Sequence, residues 1–199
     1  MHGLVNRSLE CFLSDTYGKD IWLEVADAAG LDFKHFESML DYDDALTYAV
    51  LDAAAFSLSK SHDTLLEDLG TYLISSKNVQ SLRRLLRFGG VTFVEFLHSL
   101  DDLYDRAKLA VPELELPRLN LYADGDQGSF KLICRGSHSG FGQVMLGVLR
   151  AMADDYGALV FMEYNGAGDG YEEISIILVE SSHAKGRDFS LASPIEGHA

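Results

Sequence analysis

The spacing of apolar residues changes three times after residue 91, and few folds accommodate that order. As far as Pro112 the apolar positions recur at helical intervals, as in Phe93, Leu97 and Leu100. After Pro117 they alternate, with Phe130, Leu132 and Cys134 set against Lys131 and Arg135, and "DGDQG" at 124–128 supplies the turn before them. From Phe141 the helical stripe returns through Val144, Met145, Val148, Leu149 and Met152, with Gly157 placed to end it. "ALVFMEY" and "YEEISIILVE", joined by "NGAGDG", then alternate again. The pattern predicts strand, strand, helix, strand, strand, with antiparallel strands near 119–123, 129–135, 158–165 and 171–180.

Residues 1–88 read as short amphipathic helices, broken at Gly18, Gly30 and 59–61. Gly89 and Gly90 stop one helix, and Thr92 with Glu95 has the spacing of a capping box for the next. That helix, spanning 91–109, carries Tyr104 on the stripe of Phe93, Leu97 and Leu100, and it ends before Pro112. The fold class is therefore α+β, a helical N-terminal part meeting an antiparallel sheet. The last 19 residues, 181–199, lack periodicity and are expected to form a flexible tail.

Charge and cysteine content narrow the functions. With 16 basic and 31 acidic residues the chain carries a formal charge of -15, which repels nucleic-acid phosphates and anionic membranes. No stretch approaches the roughly 20 apolar residues that cross a bilayer. Arg7 and Glu10 interrupt the N-terminal apolar run, unlike a signal peptide. Two cysteines, Cys11 and Cys134, are too few for a disulfide framework or a four-cysteine zinc site, so a cytoplasmic location is expected.

Motifs for catalysis fail on inspection. "HFE" at 35–37 has the H-x-E spacing of a zinc deaminase, but the chain has no P-C-x-x-C partner. "NGAGDG" joins two strands and opens no helix, so its amides cannot converge on a phosphate. Asp43 and Asp44 read as the solvated first turn of a helix. The expectation is a protein without enzymatic activity.

Four stretches nevertheless carry a resemblance: "MHGLVNRSLECFLSDTYG" at 1–18 with Trp22, "YDDALTYAVLDAAA" at 42–55, "FLHSLDDLYDRA" at 96–107, and "LPRL" at 116–119. Together they resemble the haem nitric oxide/oxygen-binding (H-NOX, HNOB) family, the sensor fold of soluble guanylate cyclase and of bacterial stand-alone regulators. The resemblance implies one domain over 1–180, with a helical distal part (1–63) and an α/β proximal part (64–180), and a haem pocket whose axial histidine falls on Tyr104 and whose porphyrin-bending proline is Pro117. It also implies that the propionate-binding Y-x-S-x-R motif falls on Cys134, Gly136 and His138, and that Val144 takes a distal-pocket position. The axial histidine and all three propionate residues are therefore replaced. By strand alternation Arg135 faces away from 134, 136 and 138, and it substitutes only if Gly136 allows a bulge.

Two functions follow from the resemblance. The favoured one is a haem-free regulatory domain acting on a signalling partner such as a diguanylate cyclase or histidine kinase, its pocket vacant or taken by a small hydrophobic ligand. The alternative is a gas or redox sensor holding ferric haem through the Tyr104 phenolate, as catalase does. His2 could approach iron from the other side, but an N-terminal histidine without a metal role is the plainer expectation. His98 lies off the Tyr104 face. Cys134 reads as a packed thiol.

Overall fold

The computed structural model describes residues 1–76, 80–125 and 127–189. Its helical half opens with α1 (Gly3–Tyr17), α2 (Lys19–Ala28), α3 (Asp44–Leu58) and α4 (His62–Ser75). Next come α5 (Gln80–Arg87) and α6 (Phe93–Ser99), a single 3-10 turn (Leu100–Asp102), and α7 (Leu103–Ala110). The sheet half contains β1 (Arg118–Ala123), β2 (Ser129–Arg135), α8 (Phe141–Tyr156), β3 (Leu159–Gly168) and β4 (Tyr171–Glu180). All three strand pairings are antiparallel, in the order β1-β2-β4-β3, as the alternation predicts.

Local chemistry explains the breaks. Gly18, at φ 102°, lies between α1 and α2, and Gly157, at φ 73°, ends α8 in the left-handed region that glycine occupies freely. Asp43 caps α3 by accepting from the Ala45 N–H. The predicted capping box is present, Glu95 N–H donating to Thr92 Oγ1 at 3.2 Å while the Glu95 carboxylate accepts from Thr92 N–H at 3.2 Å.

Two apolar cores result. One gathers Leu9, Phe12, Leu13, Trp22, Val25 and Val50 among the first helices. The other packs Phe93, Phe96, Leu97 and Leu100 with Leu132, Ile174 and Ile176 of the sheet and Leu149 and Met152 of α8. Helix α4 belongs to both, giving Leu65 and Leu69 to the first core and Ile74 to the second. It crosses α8 where Gly70 and Gly147 let the backbones meet. A Cβ on Gly70 would stand 2.0 Å from the Val144 carbonyl oxygen, and one on Gly147 would stand 2.0 Å from that of Glu67.

Inside the helical half, the buried Glu10 carboxylate pins the loop after α2. It accepts from Phe36 N–H at 2.9 Å, lies 2.7 Å from His35 Nδ1 and pairs with Arg7. Trp22 Nε1 donates to the Lys34 carbonyl at 2.9 Å. His35, the first residue of the rejected H-x-E motif, thus has a structural partner.

The continuous helix expected over 91–109 is interrupted. A 3-10 turn advances about 120° per residue against about 100° in an α-helix, so three such residues add roughly 60° of rotation. The core position one turn after Leu100 passes to Leu103, which is buried, while Tyr104 is only half-buried. One tertiary and one local side-chain bond hold this break. Asp101 Oδ1 accepts from Leu121 N–H of β1 at 2.8 Å, and Arg106 donates to the Ser99 carbonyl at 3.0 Å.

Residues 182–189, the start of the aperiodic segment, run back along the end of α8. Ala184 N–H donates to the Gly157 carbonyl and Arg187 N–H to that of Asp155, each at 3.0 Å. The fully buried Asp155 carboxylate pairs with Arg83 at 2.7 Å and Arg87 at 3.2 Å, and Arg87 lies over the Tyr156 ring. The remainder of the expected flexible tail, 190–199, lies outside the described residues.

Candidate functional site

A cleft of about 260 Å³ opens where the first turn of α7, the segment leading into β1, the end of β2 and the loop into α8 converge. Its lining includes Tyr104, Pro117, Gly136 and His138, four of the residues singled out from the sequence. Val144 instead lines a separate space of about 50 Å³ between α1, α3, α4 and α8. His138 and Phe141 line both, so these two side chains separate them.

Tyr104 faces a cation. The Arg118 guanidinium carbon lies 4.1 Å from the centre of its ring and Lys108 Nζ lies 5.8 Å from it. Such a stack at a partly exposed site contributes about 0.5–1 kcal/mol. Pro117 is buried and closes directly on Gly136, where an added Cβ would be 3.2 Å from the proline Cβ. His138 Nδ1 stands 3.4 Å from Asp44 Oδ2, which ties the loop before α8 to the first turn of α3. Asp44 is held below the usual carboxylate range, first by its hydrogen bond from the Met1 amine and further by His138. This turn, read from the sequence as merely solvated, joins the two halves.

Cys134 does not reach the cleft. It is packed among the core residues of β2, and burial, then the Glu172 carboxylate, push its thiol up to about 12. It is the packed thiol that alternation indicated. His2 is buried, not superficial, and its Nδ1 accepts from Leu4 N–H at 3.2 Å to cap α1. His98 is exposed, edge-on to the Phe130 ring at 6.0 Å. No group of three or more His, Cys, Asp or Glu side chains among the described residues is arranged to hold a metal ion.

Three further residues organise the site: Arg118 and Glu172, which the sequence does not single out, and Arg135, which it admits only on the condition of a bulge at Gly136. Arg118 and Arg135 both line the cleft. Arg135 does so although β2 pairs in regular register with both neighbours as far as that residue, without the bulge that the sequence reading required. The third, Glu172 of β4, is buried and accepts from Gly140 N–H at 3.0 Å, Gly142 N–H at 2.9 Å and Tyr164 O–H at 2.9 Å. A carboxylate at the start of a helix satisfies amides that have no intrahelical partner. Glu172 thereby fixes the entry to α8 and the loop that forms one cleft wall. Burial, then its bond to Glu172, raises the Tyr164 phenol well above its ordinary range.

A helical unit is thus joined to an antiparallel sheet by the crossing of α4 and α8 and by the His138–Asp44 contact, with a cleft at the sheet end. The chain matches the Haem-NO-binding (HNOB) family over residues 2–164, and it belongs to that family of gas- and haem-sensing domains. Among curated proteins it is 22% identical over 164 residues to "Soluble guanylate cyclase 89Da" of Drosophila melanogaster, covering 82% of this chain and 24% of that protein. It is also 23% identical over 155 residues to "Soluble guanylate cyclase gcy-31" of Caenorhabditis elegans, covering 78% and 22%. The chain thus spans about a quarter of the length of these relatives.

Among solved structures, a mutant H-NOX protein from K. algicida in the Fe(II) unliganded state superposes with a TM-score of 0.77 at 16% identity, covering 90% of this chain and 97% of that one. An Fe(II) H-NOX protein from S. oneidensis gives 0.77 at 16% identity, covering 92% and 98%. These likenesses establish the α+β H-NOX fold. The family normally binds haem and its domains are sensors, not catalysts. Among the described residues no helix is long and apolar enough to cross a membrane.

Proposed function

We propose that this chain is a non-catalytic, cytoplasmic regulatory domain that acts on a separate signalling protein, such as a diguanylate cyclase or a histidine kinase, without ligating haem as its family does. The observation that carries this reading is the surroundings of Tyr104. The axial-ligand position holds a phenol whose ring is stacked with the Arg118 guanidinium at 4.1 Å. The rest of the site supports it. The space beside Tyr104 is about 260 Å³, below the roughly 300–1,000 Å³ of sites that bury drug-sized ligands. His138 and Phe141 divide it from the space at Val144. Cys134 is shut in the core, and Gly136, which offers no side-chain donor, is pressed on Pro117. These residues do not fit the cofactor in the manner of the family.

Catalytic activity belongs, on this reading, to the partner. The curated relatives are cyclases by name, but their similarity to this chain covers only about a quarter of their length. The alternative, haem held by the Tyr104 phenolate, draws on one observation: Tyr104 lines the cleft. The absorption spectrum of the purified protein titrated with haemin separates the two. A sharp, stoichiometric Soret band that Tyr104→Phe removes favours the alternative, and a broad spectrum of free haemin favours the haem-free domain.

A further inference from the structure

We infer that the cleft between α7 and the β1–β2 strand ends is a binding site for a small organic carboxylate bearing an apolar ring, gripped by Arg118 and Arg135. The inference rests on the haem-free reading above and names the ligand of that same site.

Two guanidinium groups meet at this cleft without an acidic partner in an ion pair among the described residues. Arg118 and Arg135 are direct cross-strand partners at the ends of β1 and β2. Like charges set opposite each other on a strand pair repel. The chain carries 31 acidic residues, and the ion pairs of arginine among the described residues use Arg7, Arg83, Arg87 and Arg150. Neither Arg118 nor Arg135 takes part. Arg118 stacks on Tyr104, and Arg135 gives one hydrogen bond, at 2.8 Å, to the neutral Asn120 amide oxygen. Each guanidinium has five N–H donors in a planar fork that matches a carboxylate, so most of their capacity is unspent at the mouth of one cleft.

The cleft walls are of mixed character. Beside the two arginines, Ser137 and His138 add polar groups, while Leu116, Pro117 and Phe141 form an apolar side. An anion alone satisfies only the cationic side, and an apolar molecule alone leaves the arginines opposed. A ring with a carboxylate answers both, and a space of about 260 Å³ suits a ligand of that size. Glu115 also lines the cleft, and Asp44 stands 3.4 Å from His138. These carboxylates disfavour a ligand with several negative charges and favour one with a single charge. Because Glu172 anchors Gly140 and Gly142, the loop bearing Gly136, Ser137 and His138 is already placed for binding.

The test uses the full chain and isothermal calorimetry with benzoate, phenylacetate and indole-3-acetate, and with inorganic phosphate as the ringless anion. At least one ring carboxylate is expected to bind saturably and less tightly as salt is raised. Arg118→Ala and Arg135→Ala should each weaken it about tenfold or more, the loss of one charge-assisted contact, and phosphate should bind about tenfold more weakly than the best ring acid. Both arginines are exposed, so circular dichroism should show the variants folded, and Arg135→Lys should recover part of the affinity. No saturable binding by any ring acid, unchanged affinity in both alanine variants, or phosphate binding as tightly as the ring acids would each overturn the inference. The haem-free reading fails on a different result, a stoichiometric haemin spectrum dependent on Tyr104.

Discussion

Replacing Glu172 with glutamine tests whether a single buried carboxylate from β4 holds the cleft wall in place. The carboxylate accepts three hydrogen bonds, from Gly140 N–H, Gly142 N–H and Tyr164 O–H. A glutamine side chain offers one carbonyl oxygen and one NH₂. If the oxygen keeps Gly142 and Tyr164 rotates to accept from the NH₂, the Gly140 N–H is left facing a donor. The Gly140 N–H is part-buried, so leaving it unpaired costs the lower part of the roughly 1–3 kcal/mol of a buried one. The surviving amide bond also drops from charge-assisted to neutral, roughly halving its strength. Together these predict a loss of about 2–4 kcal/mol. For a chain of this length each kcal/mol moves Tm by about 2–4 °C, so scanning calorimetry should record a fall of roughly 5–15 °C. Glu163→Gln, on an exposed position of β3, is the control and should stay within about 0.5 kcal/mol. A Glu172→Gln midpoint within about a degree of the parent would refute the account of the α8 entry.

Two other outcomes follow. Tyr104→His alone should not confer family-like haem binding, because Cys134 and Gly136 still offer no strong donors and each missing charge-assisted bond forfeits about 1.5–3 kcal/mol; tight 1:1 haemin binding by that variant, read by absorption, would overturn this. At high pH the phenol of Tyr72, pushed up to about 12 by burial first and then by its bond to Asp15, should cost stability on ionising. Its folded value lies above the unfolded value of about 10, so the contribution is full below about pH 10 and is lost as the pH rises through about 12. Urea midpoints should therefore fall less steeply over that window in Tyr72→Phe than in the parent, and identical slopes would refute the assignment.

Much of this architecture is legible in the residues. The alternation of Phe130, Leu132 and Cys134 and the stripe from Phe141 to Met152 dictate the order of the sheet half, because a buried strand face and a buried helix stripe each have one period. Gly157 and the Thr92–Glu95 box mark helix ends through local chemistry alone. What was not legible depends on contacts distant in sequence. The 3-10 turn at Leu100–Asp102 is held by Asp101 on the Leu121 N–H, a bond to another element. No local pattern announces it, so the apolar period alone puts Tyr104 on the core stripe that Leu103 occupies. Glu172 reads as one more acidic residue in "YEEIS" until its partner amides, about 30 residues earlier, are known. Arg118 and Arg135 gain their meaning from strand register, which places them opposite each other. The positions taken from the family resemblance separate in the same way: Tyr104, Pro117, Gly136 and His138 meet at one cleft, whereas Val144 and Cys134 do not join them.

The central claim, that this member of the family does not hold haem through its axial position, is tested most directly by titrating haemin into the full chain and recording the absorption spectrum in ferric and dithionite-reduced forms. The account predicts a broad, non-saturating Soret region that Tyr104→Phe leaves unchanged. A sharp Soret band saturating at one haemin per chain, with an iron-phenolate charge-transfer band that Tyr104→Phe abolishes, would contradict it.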